Sequence, residues 1–144
     1  MHFPASGFRW LLLLPLAVGI GCGPPPYHPV SGTITLDNRP LEGAFISFMP
    51  EGDRGVPSFG NTDAAGRYTL THGAELQGAP AGEYRVRIST YKGGNDEVDP
   101  PIPAKPERIP SKYNLQTDLL RTVAPGPNEF NFELDSRGEI IQPE

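Results

Sequence analysis

Cysteine and tryptophan occur once each in this 144-residue chain, histidine three times, and Lys and Arg (12) are fewer than Asp and Glu (17). A single cysteine excludes a disulfide framework within the chain and any zinc site built on several thiolates. A net charge of -5 without clustered Lys and Arg argues against nucleic acid as a partner. The apolar stretch from Trp10 to Ile20 is eleven residues long, too short for a hydrocarbon core that needs about 20 in a helix. No Gly-x-Ser-x-Gly elbow, P-loop, dinucleotide fingerprint or HExxH pair is present. With 18 prolines and 17 glycines, few helix-length windows are free of a breaker, which excludes bundles and coiled coils. Disorder is disfavoured in turn, because 37% of residues are apolar and the charge is low. What these exclusions leave is one small all-β domain of short strands and many turns.

The first 22 residues divide into a short segment with one cation, Arg9, the apolar stretch, and Gly21-Cys22. The stretch has the length of a signal-peptide core. A cysteine directly after it, preceded by small residues, resembles the lipobox of bacterial lipoproteins. Position three before the cysteine, Leu in the usual pattern, is Gly19 here. The resemblance implies diacylation of Cys22, cleavage before it, and an exported protein lipid-anchored in the cell envelope, facing the periplasm or the exterior. Acyl chains contribute about 0.8 kcal/mol per buried methylene, so two of them hold a domain on a membrane stably. Ala17-Val18-Gly19 also fits an ordinary small-x-small cleavage site that would release a soluble protein, and retention of the uncleaved stretch is the third reading. Residues 22–29, with four prolines between Pro24 and Pro29, read as a stiff extended tether.

From Val30 the chain alternates with period two. Val30, Ile34 and Leu36 share one face, and Asp37-Asn38-Arg39-Pro40 reads as a turn. Further strands are expected over Ala44 to Met49, Pro57 to Thr62 and Arg67 to Leu70, then Glu83 to Ser89, Leu119 to Val123 and Glu129 to Leu134. Asp63 can accept backbone N–H bonds in a tight turn, Gly66 can take a positive φ, and Tyr68 points inward. Gly82 begins the strand in which Tyr84, Val86 and Ile88 form the dry face. About seven strands with one solvated face each predict a single antiparallel β-sandwich. Residues 136–144 are expected to form a flexible tail.

Val30-x-Gly32-x-Ile34, Pro40-Leu41-x-Gly43-Ala44, Thr62-Asp63-x-x-Gly66-x-Tyr68 and Gly82-x-Tyr84-x-Val86 together resemble the carboxypeptidase regulatory-like family. Ile109-Pro110-x-Lys112-Tyr113-Asn114 and Asn128-x-Phe130-x-Phe132 are similar to small bacterial lipoproteins that carry this domain. The resemblance spans residues 30–135. It implies a transthyretin-like (prealbumin-like) sandwich serving as an accessory or structural module without catalytic residues or cofactor.

Chemistry-bearing residues are sparse. His28 falls in the tether and His72 in a turn, at no spacing suited to a shared metal. The longest segment without strand pattern, Tyr91 to Tyr113, is the candidate ligand-contact loop, since loops of this length are functional or loose. Asp96, Glu97 and Asp99 offer hard oxygens of the kind calcium uses, without regular spacing. Tyr91 and Tyr113 could stack on sugars or pack against the sandwich. These residues leave two expectations: a structural or adhesive module that contacts an envelope protein or polysaccharide, or a carbohydrate- or ion-binding accessory to a separate enzyme.

Overall fold

The computed structural model describes residues 26–52 and 55–144. The signal segment, Cys22 and the first half of the tether lie outside the described residues. The strands are β1 (Val30–Leu36), β2 (Arg39–Pro40), β3 (Phe45–Pro50), β4 (Ser58–Asn61), β5 (Arg67–Thr69), β6 (Thr71–His72), β7 (Leu76–Gln77), β8 (Gly82–Ser89), β9 (Leu120–Val123), β10 (Asn128–Glu129) and β11 (Phe132–Leu134). Among the described residues a single 3-10 turn is present, at Ser111–Tyr113. No helix among the described residues is long and apolar enough to cross a membrane.

Two sheets face each other as a sandwich. One runs in the order β7-β6-β4-β3-β8-β9, with every pairing antiparallel. The other is built around β1. On one side of it β5 and β2 pair antiparallel; on the other β10 and β11 pair parallel in one continuous register. The parallel pairing departs from the purely antiparallel expectation. A hairpin partner must be antiparallel, but strands almost a hundred residues apart in sequence carry no such constraint, and side-chain alternation is the same in either direction. The gap between β10 and β11 is closed by a side chain, since Thr33 donates its N–H to Asn131 Oδ1 at 2.9 Å.

Alternation decides what is buried. Val30, Ile34, Ile46, Phe48, Leu70, Val86 and Ile88 lose all exposure, and Tyr68, Tyr84, Phe132 and Leu134 nearly all. Phe48 sits at the centre, its ring 5.8 Å from both Tyr84 and Phe130 between centroids. Both buried tyrosines keep their hydroxyls satisfied, Tyr68 donating to Phe130 O and Tyr84 to Pro80 O, each at 2.7 Å. The second bond runs back four residues from the start of a strand, the arrangement of a tyrosine corner.

The turns follow residue chemistry. Asp37 and Asn38 both take positive φ, 49° and 63°, as the two-residue loop of a type I′ hairpin requires, and Arg39 and Pro40 then pair back onto β1. Asp63 Oδ1 accepts from the N–H groups of Ala65 and Arg67, both at 2.9 Å. Gly66 is held at φ 72°, where an added Cβ would lie 2.5 Å from Ile34 O, so only glycine fits this approach.

Three boundaries differ from expectation. His28 belongs to the domain and not to the tether: it is buried, exchanges backbone bonds with Ala79, and accepts the Gly126 N–H on Nδ1. His72 lies in β6, whose pairing with β7 makes a hairpin of two-residue strands, too short to show a period in sequence. Residues 139–142 of the tail are docked. Ser111 donates its N–H to Glu139 O, and the Gln142 amide bonds the backbone N–H and C=O of Glu107.

Candidate functional site

The long segment after β8 is folded by two short ladders. Lys92 exchanges both backbone bonds with Lys105, and Asn95 both with Ile102, so the chain leaves the sandwich and returns as a two-stranded arm. Asp96, Glu97 and Asp99 sit exposed around its tip. Asn95 Oδ1 accepts the Glu97 N–H at 2.9 Å, a local turn bond. Among the described residues no group of three His, Cys, Asp or Glu side chains is gathered as a metal would need, so the calcium-like pattern of the sequence stays spread along the arm.

The two tyrosines go different ways. Tyr113 packs against the core, and its hydroxyl donates to Asp135 Oδ2 at 3.0 Å while accepting the Asp135 N–H at 3.1 Å. Lys112 Nζ adds an ion pair to the same carboxylate at 2.9 Å. Together with the Arg137 N–H these contacts hold the Asp135 carboxyl down at about 2. Tyr113 is thereby committed to tying the loop to the end of β11 and is not an open stacking platform. Tyr91 is half-buried beside β8, its N–H bonded to Ser89 Oγ.

What anchors the arm is Glu107, a residue with no motif to mark it. It is 5% exposed, and its carboxylate accepts from the hydroxyls of Ser89 and Thr90 and from the N–H groups of Thr90, Arg108 and Ile109. Burial opposes ionisation of this carboxyl, but the donors outweigh it and hold its pKa below the ordinary value. Its flanking residues, Pro106 before and Ile109-Pro110 after, were the only trace in sequence, and they signal a rigid loop rather than a buried acid.

Beside this knot lies a cleft of about 710 Å³ between the β2–β3 connection and the base of the arm. Leu41, Gly43 and Thr90 form part of its wall, and Lys92, Lys105 and Arg108 line it. Sequence reading missed it because its walls come from segments some fifty residues apart, each with one or two charges.

On the opposite part of the larger sheet, Ser58 Oγ and His72 Nδ1 lie 2.9 Å apart. Ser58 is completely buried, and its bond to the partly exposed His72 ties β4 to β6.

No family model matches the chain, and neither does any curated protein. Among solved structures, a 9R-lipoxygenase from Cyanothece PCC8801 is similar over 76% of this chain and 16% of its own, with a TM-score of 0.44 and 14% identity. This chain therefore spans well under a fifth of that enzyme, and the likeness bears on neither fold assignment nor chemistry.

Proposed function

We propose that the protein is an envelope lipoprotein, anchored through Cys22, whose sandwich is a non-catalytic, carboxypeptidase regulatory-like module for structure or for contact with an envelope protein or polysaccharide. The observation that carries this reading is the order of parts: an eleven-residue apolar stretch, the sole cysteine directly after it, a proline-rich spacer, and then the domain. Among the described residues, the first backbone bond to the sandwich is made at His28, six positions after Cys22 in the sequence. Were residues 23–27 to adopt the polyproline form, at about 3.1 Å per residue they would span about 15 Å, short enough to keep the sandwich near a lipid surface. Such a geometry suits a displayed module and not one that roams.

The test is detergent phase partition of the full-length protein and Cys22→Ala, expressed in a bacterium with radiolabelled palmitate. Wild type is expected in the detergent phase with label, and the variant in the aqueous phase without it. Equal partition of the two into water overturns the lipoprotein reading. The accessory-binding alternative is favoured by one observation, the cationic cleft at the base of the arm.

A further inference from the structure

Ten of the chain's twelve Lys and Arg residues lie among the described residues. Four of them are in ion pairs: Arg67 with Asp63, Arg85 with Glu51, and Lys112 and Arg137 with Asp135. Of the six that have no ion pair there, four converge on one place. Lys92, Lys105 and Arg108 line the cleft described above, and Arg108 is shared with a shallower extension that Arg39 lines from the β1–β2 hairpin. In a protein of net charge -5, this is a local concentration of positive charge.

The backbone forces the charges together. Lys92 and Lys105 exchange both N–H···O bonds, at 3.0 and 2.9 Å, which makes them a directly opposed antiparallel pair with side chains on the same face of the arm. Like charges in that position are destabilising. Lys92 Nζ also lies 3.6 Å from where a Cβ on Gly43 would be, so the ammonium group reaches across the cleft mouth to the far wall. The Arg108 guanidinium is pinned by a 3.3 Å bond to Glu42 O. Among the described residues none of the nearby acids forms an ion pair with these four cations. Glu107 spends its carboxylate on hydroxyl and N–H donors, Asp37 accepts the Ser136 N–H, and Glu42 is the one acid lining the cleft itself.

We propose that this cleft binds a ligand carrying two or more closely spaced oxyanions, bridged by Lys92 and Lys105 and gripped by Arg108. Its volume is that of a small-molecule site. A flat anionic bilayer is the wrong shape, because Asp96, Glu97 and Asp99 around the tip of the same arm would meet it first. The shared chemistry is phosphate or carboxylate at short spacing, supplied by a phosphorylated small molecule or by consecutive acidic sugars. This deepens the contact-module reading and rests on it, but does not depend on the anchor.

The test is titration calorimetry on the full-length protein in neutral detergent micelles, with tripolyphosphate in one arm and trigalacturonate in the other. One-to-one binding is expected in at least one arm, weakening as salt is raised to about 0.15 M, where screening acts over about 8 Å. The Lys92→Gln/Lys105→Gln double variant should lose affinity about tenfold, the effect of removing two exposed charge contacts. Arg87→Gln, which removes a cation outside the cleft, should change it by less than about twofold. The responding arm identifies the source: phosphate, acidic saccharide, or anion spacing alone if both respond. Binding in neither arm, or an Arg87→Gln loss equal to that of the double variant, overturns the proposal. Because phase partition of the same preparations reports on the anchor, failure of the cleft and failure of the lipoprotein reading are told apart.

Discussion

Glu107 shows how one side chain can organise a loop more than twenty residues long. Its carboxylate collects donors from the end of β8 and from its own successors, so the arm is fixed at its root while its tip remains in solvent. An acid held below its ordinary pKa binds its proton more weakly in the folded than in the unfolded chain. Its stabilisation is therefore complete above the unfolded value near 4.5 and is lost as pH falls below it. Glu107→Gln is expected to lower stability at neutral pH by about 1–3 kcal/mol, since buried donors lose a charged acceptor. It should also flatten the decline of stability below about pH 4.5, measured by urea unfolding across pH 3 to 7. A variant whose acid dependence matched wild type would show that folding does not lower the Glu107 pKa. The residual slope would belong to Asp63 and Asp135, whose carboxyls are also held low.

At the scale of elements, the C-terminal segment is the unexpected one. It is connected to the long loop and the 3-10 turn by Ser111 N–H to Glu139 O, Glu107 N–H to Gln142 Oε1 and Gln142 Nε2 to Glu107 O, and, nearer β11, by the bonds of Asp135 with Tyr113 and Lys112. Truncation after Gly138 removes the first three and is expected to destabilise the domain by about 1–3 kcal/mol. The segment from Lys92 to Pro110 should then be cleaved faster by limited proteolysis, with the sandwich strands still protected. Unchanged cleavage there would mean that the tail is an ornament on the loop. Composition gave no hint of this docking, because Glu139 to Glu144 has neither period nor turn signal and its bonds are made mainly by backbone and one amide. The parallel placement of β10 and β11 was hidden for a similar reason. Their alternation identifies the faces of the strand, but direction depends on which edge of β1 is left after β5 and β2 have taken the other.

For the whole molecule, the described residues form a two-sheet sandwich with a cation-lined cleft at the base of one arm. The sole tryptophan, Trp10, opens the apolar stretch that ends at Ile20. Protein purified from an exporting bacterium is therefore expected to show tyrosine emission only. Tryptophan emission from that material would mean that the stretch was retained uncleaved, against cleavage before Cys22.

The sequence alone determined the all-β class, the inner faces and the turns, because these depend on local rules. Alternation of Tyr84, Val86 and Ile88 needs only the pleat, and Asp63 with Gly66 needs only a tight turn. Candidate chemistry was legible only as residue types on one loop: Tyr91, Asp96, Glu97, Asp99 and Tyr113. Tertiary structure redistributed those roles. It assigned Tyr113 to packing, left the acids apart, buried His28, and brought Lys92, Lys105 and Arg108 around one cleft, with Arg39 on its shallower neighbour. The physical reason is distance along the chain. Hydrophobic burial acts on patterns a few residues long, whereas convergence of like charges is imposed by backbone pairing between segments far apart, and no local preference records it.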